Sequence, residues 1–126
     1  MADIKNKKIL MTLMRMEIGG AETHVLELSL ELARRGFQVV VASGGGVYEE
    51  YLAKAGIKHY KVPMYTKSPA KMYKSLLSLK QIIKKEKIDI VHAHGRIPAF
   101  LCGLLHPFMK FTFVTSALGI QNRYGP

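Results

Sequence analysis

The sequence predicts an α/β protein: a Rossmann-like parallel sheet of about five strands, with helices on both faces. Short apolar, β-branched runs alternate with longer segments of helical periodicity along its 126 residues. Glycine, proline or small polar residues punctuate almost every junction between them.

Residues 8–13 are a short apolar run and read as a buried strand. After Gly19 and Gly20, residues 21–35 read as a helix. Ala21, Val25, Leu28 and Leu32 recur on one face, Glu27 and Glu31 on another, and Gly36 ends it. Residues 37–42 (FQVVVA) form a second buried strand, followed by a loop, Ser43-Gly44-Gly45-Gly46. A short helix over 47–55 stops at Gly56, and a weaker strand over 57–62 closes at Pro63. Residues 71–87 give the clearest helix, with Met72, Leu76, Leu79 and Ile83 as its apolar stripe and lysines over the rest. A strand at 88–93 (IDIVHA), a helix at 98–109 and a strand at 111–116 (FTFVTS) complete the series. Residues 118–126 hold turn residues and no clear element. No repeat, low-complexity linker or internal boundary divides residues 1–126, so the expectation is a single domain.

Parallel strands joined by right-handed crossovers leave few topologies. In such sheets ligands bind beyond the carboxyl ends of the strands, at the topological switch point. That selects the segments 16–20, 43–46, 94–96 and 117–121 as candidate site loops. Two glycines opening a helix let backbone N–H groups approach an anion, aided by the helix dipole; the alternative is a plain tight turn. Glu22, Ser43 and Gly44 lie on these loops as candidate lining residues.

His92 and His94, two apart on a strand, point to one face. His94 stands at or just past the carboxyl end, where a cleft would lie. His92, one step deeper, reads as a packed, hydrogen-bonded core residue. The pair could also offer two metal ligands, but no carboxylate or cysteine stands close by in sequence as a third, and no metal is expected. Arg96 is a candidate anion contact or a solvent-facing residue at a helix start. His24, in the first helix, reads as structural or surface. Cys102, the lone cysteine, permits no internal disulfide, fits a reducing compartment and reads as core filling.

The net charge of +10 is concentrated: the segment 54–87 holds ten lysines against one acid, Glu86. Lys71, Lys74, Lys80, Lys84 and Lys85 lie on the long helix, either as an ordinary solvated face or as a surface for anionic membrane or polyanion. No helix-turn-helix or aromatic stacking platform points to nucleic acid. The apolar run 97–105 is far too short to span a bilayer, and residues 1–5 show no apolar signal core. A dinucleotide site is disfavoured, because no G-x-G-x-x-G follows the first strand and the second ends in Ser43 rather than an acid. A phosphate-binding Gly-Lys-Ser/Thr loop is absent, as are the strand-end acids of a receiver domain.

Three stretches, GGAETHVLELSLELARRGFQVVVAS, AGIKHYKVP and IDIVHAHGRIPAF, follow one another through nearly the whole chain. In order and spacing they resemble the N-terminal, acceptor-side domain of family-4 retaining glycosyltransferases, enzymes of the two-domain GT-B fold. The resemblance implies a nucleotide-diphosphate sugar as donor, no tightly bound cofactor, and transfer with retention to a cell-surface glycan, as in lipopolysaccharide biosynthesis, or to a lipid-linked acceptor. It implies that Gly19, Gly20, His94 and Arg96 contact donor phosphate or acceptor, and that Glu22, Ser43, Gly44, Leu118 and Gly119 line the cleft. It also implies a cytoplasmic location, peripheral at the inner membrane face.

The chain departs from the family in two places. Nothing in it matches the second Rossmann-like domain, which carries a pair of glutamates, so the N-terminal domain is expected to be cut short and inactive alone. Leu118-Gly119 stands where the family usually has His-Gly, and leucine offers no hydrogen bond. The alternative function is a non-catalytic module whose basic face binds anionic lipid or polyanion. An apolar last edge strand, with Phe111, Phe113 and Val114, predicts self-association.

Overall fold

The computed structural model describes residues 7–15, 20–64 and 68–116. Five strands form one sheet: β1 (Lys8–Thr12), β2 (Gln38–Ser43), β3 (Lys58–Lys61), β4 (Ile90–His94) and β5 (Thr112–Ser116). Their spatial order is β3-β2-β1-β4-β5, and every neighbouring pair is parallel. The helices are α1 (Gly20–Arg34), α2 (Glu49–Lys54), α3 (Pro69–Glu86) and α4 (Arg96–Leu105), with a single 3-10 turn at His106–Phe108. This is the expected doubly wound architecture. The predicted helix over 98–109 begins two residues earlier and tightens into the 3-10 turn, where Pro107 removes a backbone donor.

Strand alternation divides the core into two layers. Leu10, Val40, Ala42, Val91 and Ala93 face α3 and α4, where Leu79, Ile82, Ile83, Leu101 and Leu105 meet them. Ile9, Met11, Val39 and Val41 face the opposite layer, against Val25, Leu26 and Leu52. Cys102 is fully buried in the first layer, as expected; burial pushes its thiol up to about 11, which keeps it protonated beside Thr12.

On two helices the expected apolar stripe packs on the core, but further residues occupy the deepest positions. On α1 the buried residues are Val25, Leu26 and Ser29, while Leu28 and Leu32 are half-buried. On α3 Ser75, Leu79, Ile82, Ile83 and Glu86 are buried, while Met72 and Leu76 are half-buried. A serine allows close approach to the sheet, and Ser75 Oγ donates to the Pro63 carbonyl at 3.3 Å.

The last strand also needs correcting. β5 is an outer strand, but Phe111 lies before it and is buried, and Phe113 is half-buried near His106 and Phe111. Of the three residues expected to make the edge apolar, only Val114 is exposed. The two aromatic rings are shielded because both turn towards His106 in the 3-10 turn.

Candidate functional site

The sheet order reverses direction between β1 and β4, so the switch point lies beyond the carboxyl ends of those two strands. Three predicted features converge there. α1 begins at Gly20, with Glu22 half-buried in its first turn. β4 delivers His94 at its last position. Gly95, at φ +98°, then swings the chain directly into α4, whose first residue is the exposed Arg96. Among the described residues no side chain caps the amino end of α4, so its first turn presents backbone N–H groups beside Arg96.

His94 is 4% exposed, and among the described residues neither of its ring nitrogens has a hydrogen-bond partner. Leaving a buried polar atom unsatisfied costs about 1–3 kcal/mol, so this ring is an energetic exception that needs a reason. Its ring centroid is 4.0 Å from that of His92 and 6.5 Å from that of His24 on α1. Burial, with His92 and His24 close by, drives its pKa down from 6.5 to about 3, so the ring is neutral at physiological pH. Burial and His24 also lower the pKa of His92.

This reverses the expected depth of the two histidines. His94, expected at the cleft wall, is the deeply buried one, and His92 is half-buried. His92 pairs across the sheet with the exposed Val114, whereas His94 lies against α1 through His24. His24 itself is exposed, as expected, yet it forms the rim of the same cluster. Among the described residues no three His, Cys, Asp or Glu side chains are grouped as metal ligands.

A second arrangement, on β2 and β3, frames the crevice. Ser43 Oγ lies 2.7 Å from His59 Nε2, and His59 Nδ1 lies 3.5 Å from Glu49 Oε1. The Gly45 N–H donates to Ser43 Oγ at 3.1 Å, and the Gly46 N–H donates to Glu49 Oε2 at 2.8 Å. A Ser-His-Glu series can activate a nucleophile. Here Ser43 is completely buried and its oxygen already accepts a backbone N–H, so the group acts as a brace for the glycine loop. Burial is the main cause lowering the His59 pKa. The loop is further tied to β1 by the Gly44 N–H donating to the Met14 carbonyl at 2.7 Å, and to α1 by a Thr23–Tyr48 hydroxyl contact of 2.9 Å.

Comparison with known proteins gives this geometry a family. The glycosyltransferase family 4 model matches residues 18–117, most of the chain. The chain belongs to glycosyltransferase family 4. It is 35% identical over 89 residues to a human phosphatidylinositol N-acetylglucosaminyltransferase subunit, covering 65% of this chain and 18% of the relative. It is 35% identical over 97 residues to the gpi3 subunit of the same-named transferase from Schizosaccharomyces pombe, covering 70% of this chain and 21% of that relative. The chain therefore spans about a fifth of the length of these relatives. The crystal structure of a glycosyltransferase from Rickettsia africae superposes with a TM-score of 0.74 at 26% identity, covering 86% of this chain and 29% of that one. The architecture is that of the N-terminal Rossmann-like domain of a GT-B glycosyltransferase.

Within this family-4 domain the remaining predicted residues fall into separate places. Ser43 and Gly44 are on the carboxyl edge, but Ser43 is a buried brace rather than a lining residue. Gly19, Leu118 and Gly119 lie outside the described residues. Lys71, Lys74, Lys80, Lys84 and Lys85 are all exposed on α3, on the opposite layer from His94 and away from the switch point. A cavity of about 590 Å³ opens beside α3, lined by Lys61, Lys84 and Lys85 over Tyr60, Val62 and Ile82. It sits on the outer edge of the sheet rather than at the switch point. No helix of the described residues is long and apolar enough to cross a membrane. The residues that sequence reasoning missed are Glu49 and His59. Their signal was an inward-facing polar residue on β3, two positions beyond the buried Ile57.

Proposed function

We propose that this family-4 domain forms the acceptor-side wall of the site of an enzyme that transfers a sugar, with retention, from a nucleotide diphosphate to a glycan or lipid-linked acceptor. The observation that carries the reading is the convergence of the α1 start, His94 and Arg96 at the switch point. The relatives' names supply N-acetylglucosamine as the sugar to try first and phosphatidylinositol as an acceptor of the lipid-linked kind. A role in lipopolysaccharide assembly is the bacterial counterpart of the same chemistry. The donor has to be gripped from two sides, so the domain's partner is a second Rossmann-like domain, and the chain alone is expected to transfer nothing. In this reading the reaction runs in the cytoplasm at the inner membrane face, and the exposed lysines of α3 support it as a surface suited to anionic lipid. That lysine face also supports the second reading, a non-catalytic module for anionic lipid or polyanion.

The test is a titration of the full-length enzyme, this domain together with its second Rossmann-like domain, with UDP-N-acetylglucosamine, followed through the backbone amide resonances of Gly95 and Arg96. Both should move, and Arg96→Ala should weaken binding roughly tenfold, the loss of one charge-assisted hydrogen bond. Unmoved amides, or binding indifferent to Arg96→Ala, would remove the switch point as the nucleotide-sugar site. Binding of the unchanged chain to anionic vesicles with no response to the nucleotide sugar would favour the module.

A further inference from the structure

β3 is an outer strand of the sheet, with β2 on one side of it. Backbone groups alternate sides along a strand. The Val62 N–H donates to the Ser43 carbonyl of β2 at 2.7 Å, so Tyr60 and Lys58 turn their backbone groups the same way. The N–H and C=O groups of His59 and Lys61 therefore point away from the sheet, and they have no hydrogen-bond partner among the described residues. An edge of this kind is a template for another strand.

The cavity of about 590 Å³ runs beside that edge, with Tyr60, Val62 and Ile82 as its floor and Ser78 and Gln81 of α3 on its wall. The Lys61 side chain faces the other layer, where its Cε approaches Gly45, so Lys61 meets the cavity through its main chain. An added strand would thus find open backbone groups and a space for its inward side chain together. Lys85 Nζ stands 6.0 Å from the centroid of the Tyr60 ring, and Lys84 lines the same cavity. Glu86, the one acid in residues 54–87, is held by Lys8, Lys58 and the Tyr60 hydroxyl, which leaves Lys84 and Lys85 for another anion. Lysines beside an edge repel a basic strand, including β3 of a second copy, whose sequence is KHYK, and they admit an acidic one. A lipid surface would use the charge and leave the backbone groups of His59 and Lys61 unpaired.

We propose that the outer edge of β3 binds an extended acidic segment of a partner protein as an added strand. Its main chain pairs with His59 and Lys61, an apolar side chain enters the cavity over Tyr60, Val62 and Ile82, and its carboxylates meet Lys84 and Lys85. The edge lies away from the switch point, so the assignment stands apart from the sugar-transfer reading.

The experiment uses the full-length enzyme, this domain together with its second Rossmann-like domain, with hydrogen exchange read at the His59, Tyr60 and Lys61 amides. The first probe is a peptide of about six residues, the usual length of a strand, alternating valine with glutamate. The second is the same peptide fully N-methylated, which keeps the charge and loses every backbone donor. The third is a phosphatidylserine vesicle. The expected result is fast exchange at His59 and Lys61 in the free enzyme, slowed by the first peptide alone, with Tyr60 protected throughout. Lys84→Glu combined with Lys85→Glu should weaken that peptide roughly tenfold and leave Tm in place, since both charges are exposed. Equal binding of the N-methylated peptide, or slowing by the vesicle and not by the peptide, would overturn the added strand in favour of charge alone. Peptide binding unchanged in the double variant would overturn the acidic assignment. Amides of His59 and Lys61 already protected in the free enzyme would overturn it as well, because the edge would then be taken by the enzyme's own chain.

Discussion

Gly45→Val is expected to destabilise the domain by about 3 kcal/mol, lowering Tm by roughly 10 °C in a chain of this size. Gly45 has φ +94°, where L-residues are strained by about 1–2 kcal/mol and β-branched ones resist further. A Cβ there would lie 2.6 Å from Glu49 Oε2 and 2.6 Å from Lys61 Cε. Both are ends of flexible side chains, so the backbone need not break. The relief comes at the expense of Glu49, which must release the Gly46 N–H and leave His59, a charge-assisted bond of about 1.5–3 kcal/mol. Glu49→Gln alone should therefore cost less than Gly45→Val, and the double variant should cost less than the sum, since both remove the same contact. Urea unfolding of the three variants reads this directly. Full additivity would mean that Gly45 and Glu49 act independently and that the brace is not one unit.

The strands and their order in the chain were legible because each is a short β-branched run closed by a turn residue, and that pattern survives packing. The face of α1 was legible in part. Hydrophobicity placed Val25, Leu28 and Leu32 on its inner face, and all three pack on the core, but the deepest positions also include Leu26 and Ser29 while Leu28 and Leu32 are half-buried. A residue small enough for close approach is invisible to a count of apolar side chains. The site was half legible for a related reason. Alternation put His92 and His94 on one face, yet depth depends on what covers a strand. On that face α1 reaches the end of β4 through His24, while His92 lies beside the exposed Val114. The Ser43–His59–Glu49 brace joins three separate elements, and only the strand register brings it together.

Glu86→Gln is expected to cost about 2 kcal/mol at neutral pH and to erase a defined part of the acid sensitivity. Glu86 ends α3 and ties it to the amino ends of two strands, through Lys8 at 2.9 Å, Lys58 at 3.1 Å and the Tyr60 hydroxyl. Tyr60, then Lys8, then Lys58 hold its carboxylate at a pKa of about 2 against an ordinary 4.5. Each unit is worth 1.36 kcal/mol, so the shift converts to about 3 kcal/mol before screening. Glu86 is 7% exposed, but it is covered by its own partners rather than by a deep layer, and Lys58 is 59% exposed. Solvent screening brings the figure to about 2 kcal/mol. The folded pKa lies below the unfolded one, so this stability is complete above pH 4.5 and is lost as the pH falls towards 2. His59, His92 and His94 add an earlier loss. Their folded pKa values are also depressed, so the unfolded chain takes up protons first as the pH drops below 6.5. Unfolding free energies measured from pH 8 to pH 2 should therefore fall in two stages in the unchanged protein. Glu86→Gln should keep the first stage and flatten the second. An unchanged slope below pH 4.5 in the variant would show that other carboxylates govern acid unfolding and that the Tyr60–Lys8–Lys58 clamp on Glu86 contributes little.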